Sequence, residues 1–165
     1  MTDRLPRVAV DTSVILDLLL DQDPDRTERA KYLLDGHNTR HQIVLPAIVI
    51  AEIAGAPNVR SVSDDVSAAE RDDRVKRALD WIMATQYIVI DLSERVAKRA
   101  AQLAVTHELK GADASVLASA ELFNCARLYT RDGNLTKLND QYPFPIIEPD
   151  ELPEPEPEQG DLFVG

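Results

Sequence analysis

Short apolar segments alternate with longer amphipathic ones along most of this 165-residue sequence. Five segments have the length and β-branched content of buried strands: residues 7–11, 42–45, 87–90, 127–130 and 145–147. Helical periodicity predicts helices over residues 13–20, 24–34, 47–54, 68–83, 93–107 and 112–123, with Thr12 capping the first and a polar connection over residues 56–66. This order predicts an α/β fold with a parallel sheet of four to five strands between helices, because parallel strands need helical crossovers.

The length is typical of one domain, and composition changes near its end. We predict a folded domain over residues 1–148 and an acidic, Pro-rich tail over residues 149–165, disordered or extended because it cannot bury a core. The first residues lack a basic flank before an apolar run, and the longest apolar stretch, residues 43–51, is too short to span a bilayer. Together with a single cysteine, Cys125, these features predict a cytoplasmic protein.

The formal charge of −11 argues at first against a nucleic-acid partner. Its distribution weakens that argument, since seven of the 29 acidic residues lie in residues 148–165, where no Lys or Arg occurs. The rest of the chain has 22 acids against 18 bases, a balance of −4. Acids that cluster around a cation would make the working surface less negative still. Net charge is therefore weak evidence against RNA.

Four acidic residues are predicted to meet at one end of the sheet. Asp11 ends the first predicted strand and Asp132 follows the fourth, and sites in open parallel sheets lie beyond the carboxyl ends of strands. Asp113 opens a helix near the same rim. Glu52 lies in an otherwise apolar helix, where an ionised carboxylate is costly unless paired or bound to metal. Taken singly, Asp11 and Asp113 could equally be helix caps and Asp132 a turn residue. Glu52 could lie on a solvated stripe of its helix.

Convergence of the four carboxylates would imply a cation. Crowded carboxylates repel one another and cannot all stay ionised without one. Oxygen donors without His or Cys favour Mg²⁺ or Mn²⁺ over zinc. A water molecule on such an ion can be deprotonated and attack a phosphodiester while the metal neutralises developing charge. The pattern leaves open whether one or two ions are held.

Four motifs resemble, in order and spacing, those of PIN domains. Residues 8–16 look like the opening strand, in which an Asp is followed two residues later by Ser or Asn, and residues 45–52 resemble the second motif with its single Glu. Residues 112–120 resemble the third motif, in which an Asp opens a helix of small residues. Residues 128–132 resemble the fourth motif, in which a Thr or Ser lies two positions before an Asp. The resemblance covers about residues 7–147. It implies a three-layer α/β/α PIN-like fold and Mg²⁺-dependent RNA cleavage that leaves a 5′-phosphate.

The size and layout look most like VapC-type toxins of bacterial toxin–antitoxin pairs. The resemblance thus implies an endoribonuclease that forms a homodimer, acts on RNA and is neutralised by a small antitoxin. It assigns the metal-binding and catalytic roles to Asp11, Glu52, Asp113 and Asp132. Two alternatives stay open: a PIN-like RNA-binding or scaffold protein without catalysis, and a metal-dependent nuclease that acts on DNA.

Hydroxyls and basic residues complete the predicted site. By the resemblance, Ser13 and Thr130 support a carboxylate or a water molecule. Lys110 precedes Asp113, and Arg131 flanks the fourth strand, so both are candidates to contact RNA phosphates. Each basic residue could equally be a charged residue at a solvated loop end.

Overall fold

A five-stranded parallel sheet forms the centre of the computed structural model, which describes residues 4–153. The strands are β1 (Arg7–Val10), β2 (Gln42–Pro46), β3 (Ile88–Ile90), β4 (Arg127–Tyr129) and β5 (Ile146–Ile147). They lie in the order β3-β2-β1-β4-β5, and every neighbouring pair is parallel. The predicted parallel α/β sheet is confirmed, with the short fifth strand at one edge.

Eight helices within the described residues connect and cover these strands. They are α1 (Thr12–Leu20), α2 (Pro24–Asp35), α3 (Ala47–Gly55), α4 (Pro57–Arg60), α5 (Ala68–Ala84), α6 (Glu94–His107), α7 (Gly111–Leu122) and α8 (Gly133–Thr136). Ile43, Val44 and Leu45 of β2 are all fully buried. Successive strand residues point to opposite faces, so the sheet is covered on both sides. None of the helices in residues 4–153 is both long and apolar enough to cross a membrane.

Three local predictions are corrected by the structure. The cap of α1 is Asp11 rather than Thr12, because the Asp11 carboxylate accepts the backbone N–H of Thr12 and is the better placed acceptor. The predicted connection over residues 56–66 contains the one-turn helix α4, which begins at Pro57, a residue suited to a first helical position. The helix predicted over residues 112–123 begins one residue earlier, at Gly111, and ends at Leu122.

The first residues of the predicted tail contact the folded domain. Residues 149–153 have no regular secondary structure, but the Asp150 carbonyl accepts a hydrogen bond from the Arg29 side chain. Glu151 forms an ion pair with Arg127 at 2.9 Å. The remainder of the predicted tail, residues 154–165, lies outside the described residues.

The strand order determines where the functional side chains meet. The central strand β1 lies between β2 and β4, so the chain leaves β1 towards one side of the sheet and returns on the other. Such a switch point leaves a crevice at the carboxyl ends of the strands. The ends of β1 and β4 are joined there by a hydrogen bond of 3.0 Å from the Asp11 N–H to the Tyr129 carbonyl.

Candidate metal centre

Asp11 is the most firmly held carboxylate at this rim. It is 5% exposed. Its Oδ1 accepts the N–H of Thr12 at 2.8 Å, and its Oδ2 accepts the hydroxyls of Thr130 at 2.7 Å and Ser13 at 3.1 Å. Burial raises the pKa of Asp11, while the hydrogen bonds from Thr130, Thr12 and Ser13 lower it. The three hydrogen bonds therefore hold the Asp11 side chain in one orientation. Because burial disfavours its ionised form, a nearby positive charge would stabilise that form.

Thr130 links two of the predicted acids. Its side chain is fully buried, donates to Asp11 Oδ2 and accepts the backbone N–H of Asp132 at 3.0 Å. Asp132 in turn caps α8, since its Oδ1 accepts the N–H of Asn134 at 2.7 Å. Asp132, for which the sequence offered a turn as the alternative, thus caps a short helix and also lies beside Asp11.

Replacement of Thr130 by valine should destabilise the fold. The change keeps the shape but leaves the Asp132 N–H without its partner and removes one of the two hydroxyls that donate to Asp11 Oδ2, which costs about 1–3 kcal/mol. Thr130→Ser keeps the hydroxyl and should lose less. Urea denaturation measures both free energies of unfolding. Equal losses for the two variants would show that the methyl group, and not the hydroxyl, carries the effect.

Glu52 and Asp113 face the same rim from α3 and α7. Both are partly buried, and the Glu52 Oε2 accepts the Thr12 hydroxyl at 2.8 Å. Burial raises the pKa of Glu52, and the negative charge of Asp11 raises it further. Burial, followed by the negative charges of Asp132, Asp11 and Glu52, raises the pKa of Asp113 to about 6.

The four acids therefore lie close enough to interact electrostatically, but they do not form a closed coordination shell. In the described part of the chain, no three Asp, Glu, His or Cys side chains are positioned to ligate one ion together. Of the four side chains, Asp11 is held by three donors. The donor chemistry fits a hard divalent cation, because all four groups offer carboxylate oxygens and three have a raised pKa that a cation would lower.

The predicted basic residues have different surroundings. Lys110 is exposed, and its positive charge lowers the pKa of Asp113, which places it near the acids. Arg131, the other predicted phosphate contact, is held in two ion pairs. Its Nε pairs with Asp17 Oδ2 at 2.8 Å and its Nη1 with Glu148 Oε2 at 2.9 Å. Two carboxylates of the same chain thus share that guanidinium, and contact of Arg131 with RNA stays a prediction.

Sequence reasoning missed Asp17 and Glu148 as neighbours of the site. One signal was available for Asp17, which lies four residues after Ser13 and therefore on the same face of α1. Glu148 carries no comparable signal because it comes from the segment after β5.

On the other flank of Asp11, an open cavity of about 450 Å³ is lined in part by Thr12 and Glu52, so the rim is accessible from solvent.

Comparisons with known proteins agree with this architecture. A family model for the PIN domain matches residues 8–141. A toxin–antitoxin complex from Klebsiella pneumoniae has a TM-score of 0.57 at 21% identity, covering 88% of this chain and 99% of that one. VapC20 of Mycobacterium tuberculosis, a sarcin–ricin loop cleaving toxin, has a TM-score of 0.57 at 21% identity, covering 76% and 90%. FitAcB of Neisseria gonorrhoeae has a TM-score of 0.60 at 23% identity, covering 86% and 97%. No curated protein matches, and at these identities the structural likenesses show a shared fold.

Proposed function

The chain belongs to the PIN-domain family, and from that premise we propose that it is a metal-dependent endoribonuclease, the toxin of a toxin–antitoxin pair. The observation that carries the proposal is the convergence of four carboxylates at the rim where β1 and β4 end. They are Asp11, Glu52, Asp113 and Asp132. They occur in the family's order along the chain, and their shared negative charge needs a cation before a polyanion can approach.

The same four acids are proposed to hold Mg²⁺ or Mn²⁺. PIN-domain nucleases generally use divalent ions, and such an ion supplies a water molecule of lowered pKa and neutralises charge on the scissile phosphate. Asp11 is the ligand that needs no reorientation, because Thr12, Ser13 and Thr130 hold it. With a pKa of about 6, Asp113 keeps a proton in part of the metal-free molecules near neutral pH, and the ion would displace it.

Parallel assays on RNA and single-stranded DNA of the same sequence test the reaction. The full chain, freed of any partner, should cut RNA internally when Mg²⁺ or Mn²⁺ is present and should be inactive in EDTA. The expected products carry a 5′-phosphate. Cleavage of DNA with RNA left intact would contradict the choice of substrate. Metal binding without cleavage of either polymer would contradict the proposed catalysis and favour a binding or scaffold role.

A small protein partner and a homodimer are proposed on the likeness to toxin–antitoxin structures. The structural alignments with the proteins from Klebsiella pneumoniae and Neisseria gonorrhoeae cover 99% and 97% of the length of those matched chains. Expression of this chain should therefore arrest growth, and co-expression of a small neighbouring gene should relieve the arrest. Light scattering on the purified chain should give twice the monomer mass. Unimpaired growth on expression of active protein would contradict the toxin assignment.

Lys110 is proposed to contact an RNA phosphate beside the acids. Lys110→Ala should raise the KM for RNA and lower the dependence of log KM on log salt concentration by about 0.7, the value for one phosphate contact on a single strand. Lys76→Ala is the matched control, because Lys76 is an exposed lysine of α5 paired with Asp80. KM measured at several KCl concentrations decides the matter. Identical salt dependence in the two variants would show that Lys110 does not contact an RNA phosphate.

A further inference from the structure

Arg131 forms an ion bridge between two distant parts of the chain. Its side chain is only 11% exposed. Asp17, on α1, accepts from Nε at 2.8 Å, and Glu148, in the segment after β5, accepts from Nη1 at 2.9 Å. A guanidinium is a rigid planar fork, so two carboxylates bound to different nitrogens restrict both its position and its orientation. The bridge therefore joins three segments of the fold at one point.

The bridge is connected directly to the candidate metal centre. The backbone N–H of Arg131 donates to the Ser13 hydroxyl at 2.9 Å, and that hydroxyl donates to Asp11 Oδ2 at 3.1 Å. The neighbours of Arg131 in sequence are Thr130, which also donates to Asp11, and Asp132. Movement of residue 131 would thus disturb a ligand on one side and a supporting hydroxyl on the other.

We propose that Asp17, Arg131 and Glu148 are positioning residues, whose ion bridge holds Ser13 and Asp132 in place for binding of the divalent ion. This inference rests on the proposed metal-dependent function. Partners that orient metal ligands from outside the coordination shell commonly contribute 10- to 100-fold to metal affinity. The bridge also gives the segment after β5 a role at the site, since that segment supplies Glu148.

Glu148→Gln tests the bridge with a matched control three residues away. Glu151 also pairs with an arginine at 2.9 Å, and its side chain is 55% exposed, close to the 52% of Glu148. Its partner is Arg127, at the start of β4, and not Arg131. The readout is the Mn²⁺ concentration that gives half of the metal-induced rise in Tm of the full chain. Glu148→Gln should raise that concentration about 10-fold, and Glu151→Gln should leave it unchanged. A purely structural role would lower the metal-free Tm and leave the half-saturating concentration as in the wild type.

Arg131→Lys provides a second, independent variant. The ammonium keeps the charge but cannot hold two carboxylates in a fixed fork, so the half-saturating Mn²⁺ concentration should again rise. If Glu148→Gln and Arg131→Lys both bind Mn²⁺ like the wild type, the bridge inference is overturned while the proposed function stands. If the wild type itself shows no Mn²⁺-dependent rise in Tm, both the proposed function and this inference are overturned.

Discussion

Asp11→Asn should abolish RNA cleavage by the purified chain and growth arrest on its expression. Loss of one fixed metal ligand removes several kcal/mol of transition-state stabilisation, which corresponds to a rate loss on the order of 1,000-fold. The fold should survive, because asparagine caps helices as well as aspartate and still offers an oxygen to the Thr12 N–H. The measurement is the single-turnover rate on RNA in Mn²⁺, with circular dichroism to establish folding.

A second capping aspartate provides the matched control for that variant. Asp23 caps α2, and its Oδ1 accepts the N–H groups of Asp25 and Arg26. Asp23→Asn makes the same chemical change at a helix start outside the four-acid set, and it should leave the rate of cleavage unchanged. Equal activity of Asp11→Asn and Asp23→Asn would mean that Asp11 is a structural cap and not a metal ligand.

Asp113→Asn should make the metal-free protein more stable at neutral pH and should remove most of its stabilisation by metal. The folded-state pKa of Asp113, about 6, lies above the ordinary value of 3.8, so the native state retains a proton that the unfolded chain has lost. Stability of the wild type therefore falls as pH rises through the window from about 4 to 6, and the full penalty is present above it. Asparagine has no charge to desolvate. The variant should therefore have a free energy of unfolding roughly 1 kcal/mol higher than the wild type above pH 6, once solvent screening is allowed for.

Urea denaturation in EDTA at pH 5 and pH 7.5 measures this effect. The advantage of Asp113→Asn over the wild type should be larger at pH 7.5, and saturating Mn²⁺ should reverse the order of stability. Glu94→Gln is the control, since Glu94 also lies in the first turn of a helix, α6, but is 80% exposed and paired with Lys98. A variant that is less stable than the wild type in EDTA at pH 7.5 would show that Asp113 is not in a crowded negative environment.

The placement of the acids was predictable because it depends on topology. Alternating strands and helices predict a parallel sheet, and a parallel sheet brings its carboxyl ends to one rim. Asp11 therefore had to lie near the end of β4, where Thr130 and Asp132 follow. The apolar sequence around Glu52 likewise predicted an acid that needs a partner, and the structure supplies the Thr12 hydroxyl.

The ion bridge was not predictable, since its partners are far apart in the chain. Asp17 is 114 residues from Arg131, and Glu148 is 17 residues beyond it in a segment without regular structure. Sequence pattern distinguishes apolar from polar positions, but it does not distinguish a solvated arginine from one paired on both sides. For the same reason the sequence indicated Arg131 only as a candidate for RNA contact and not as the centre of an ion bridge.

Calorimetric titration of Mn²⁺ into the metal-stripped full chain tests the central claim most directly. The wild type should bind one or two ions with saturable heat. The heat should vary with the ionisation enthalpy of the buffer near pH 6, because binding displaces the proton that Asp113 holds there. Asp11→Asn should give no saturable heat under the same conditions. Saturable binding that is identical in the wild type and in Asp11→Asn, or no binding to the wild type at all, would contradict a divalent-ion site built on these four carboxylates.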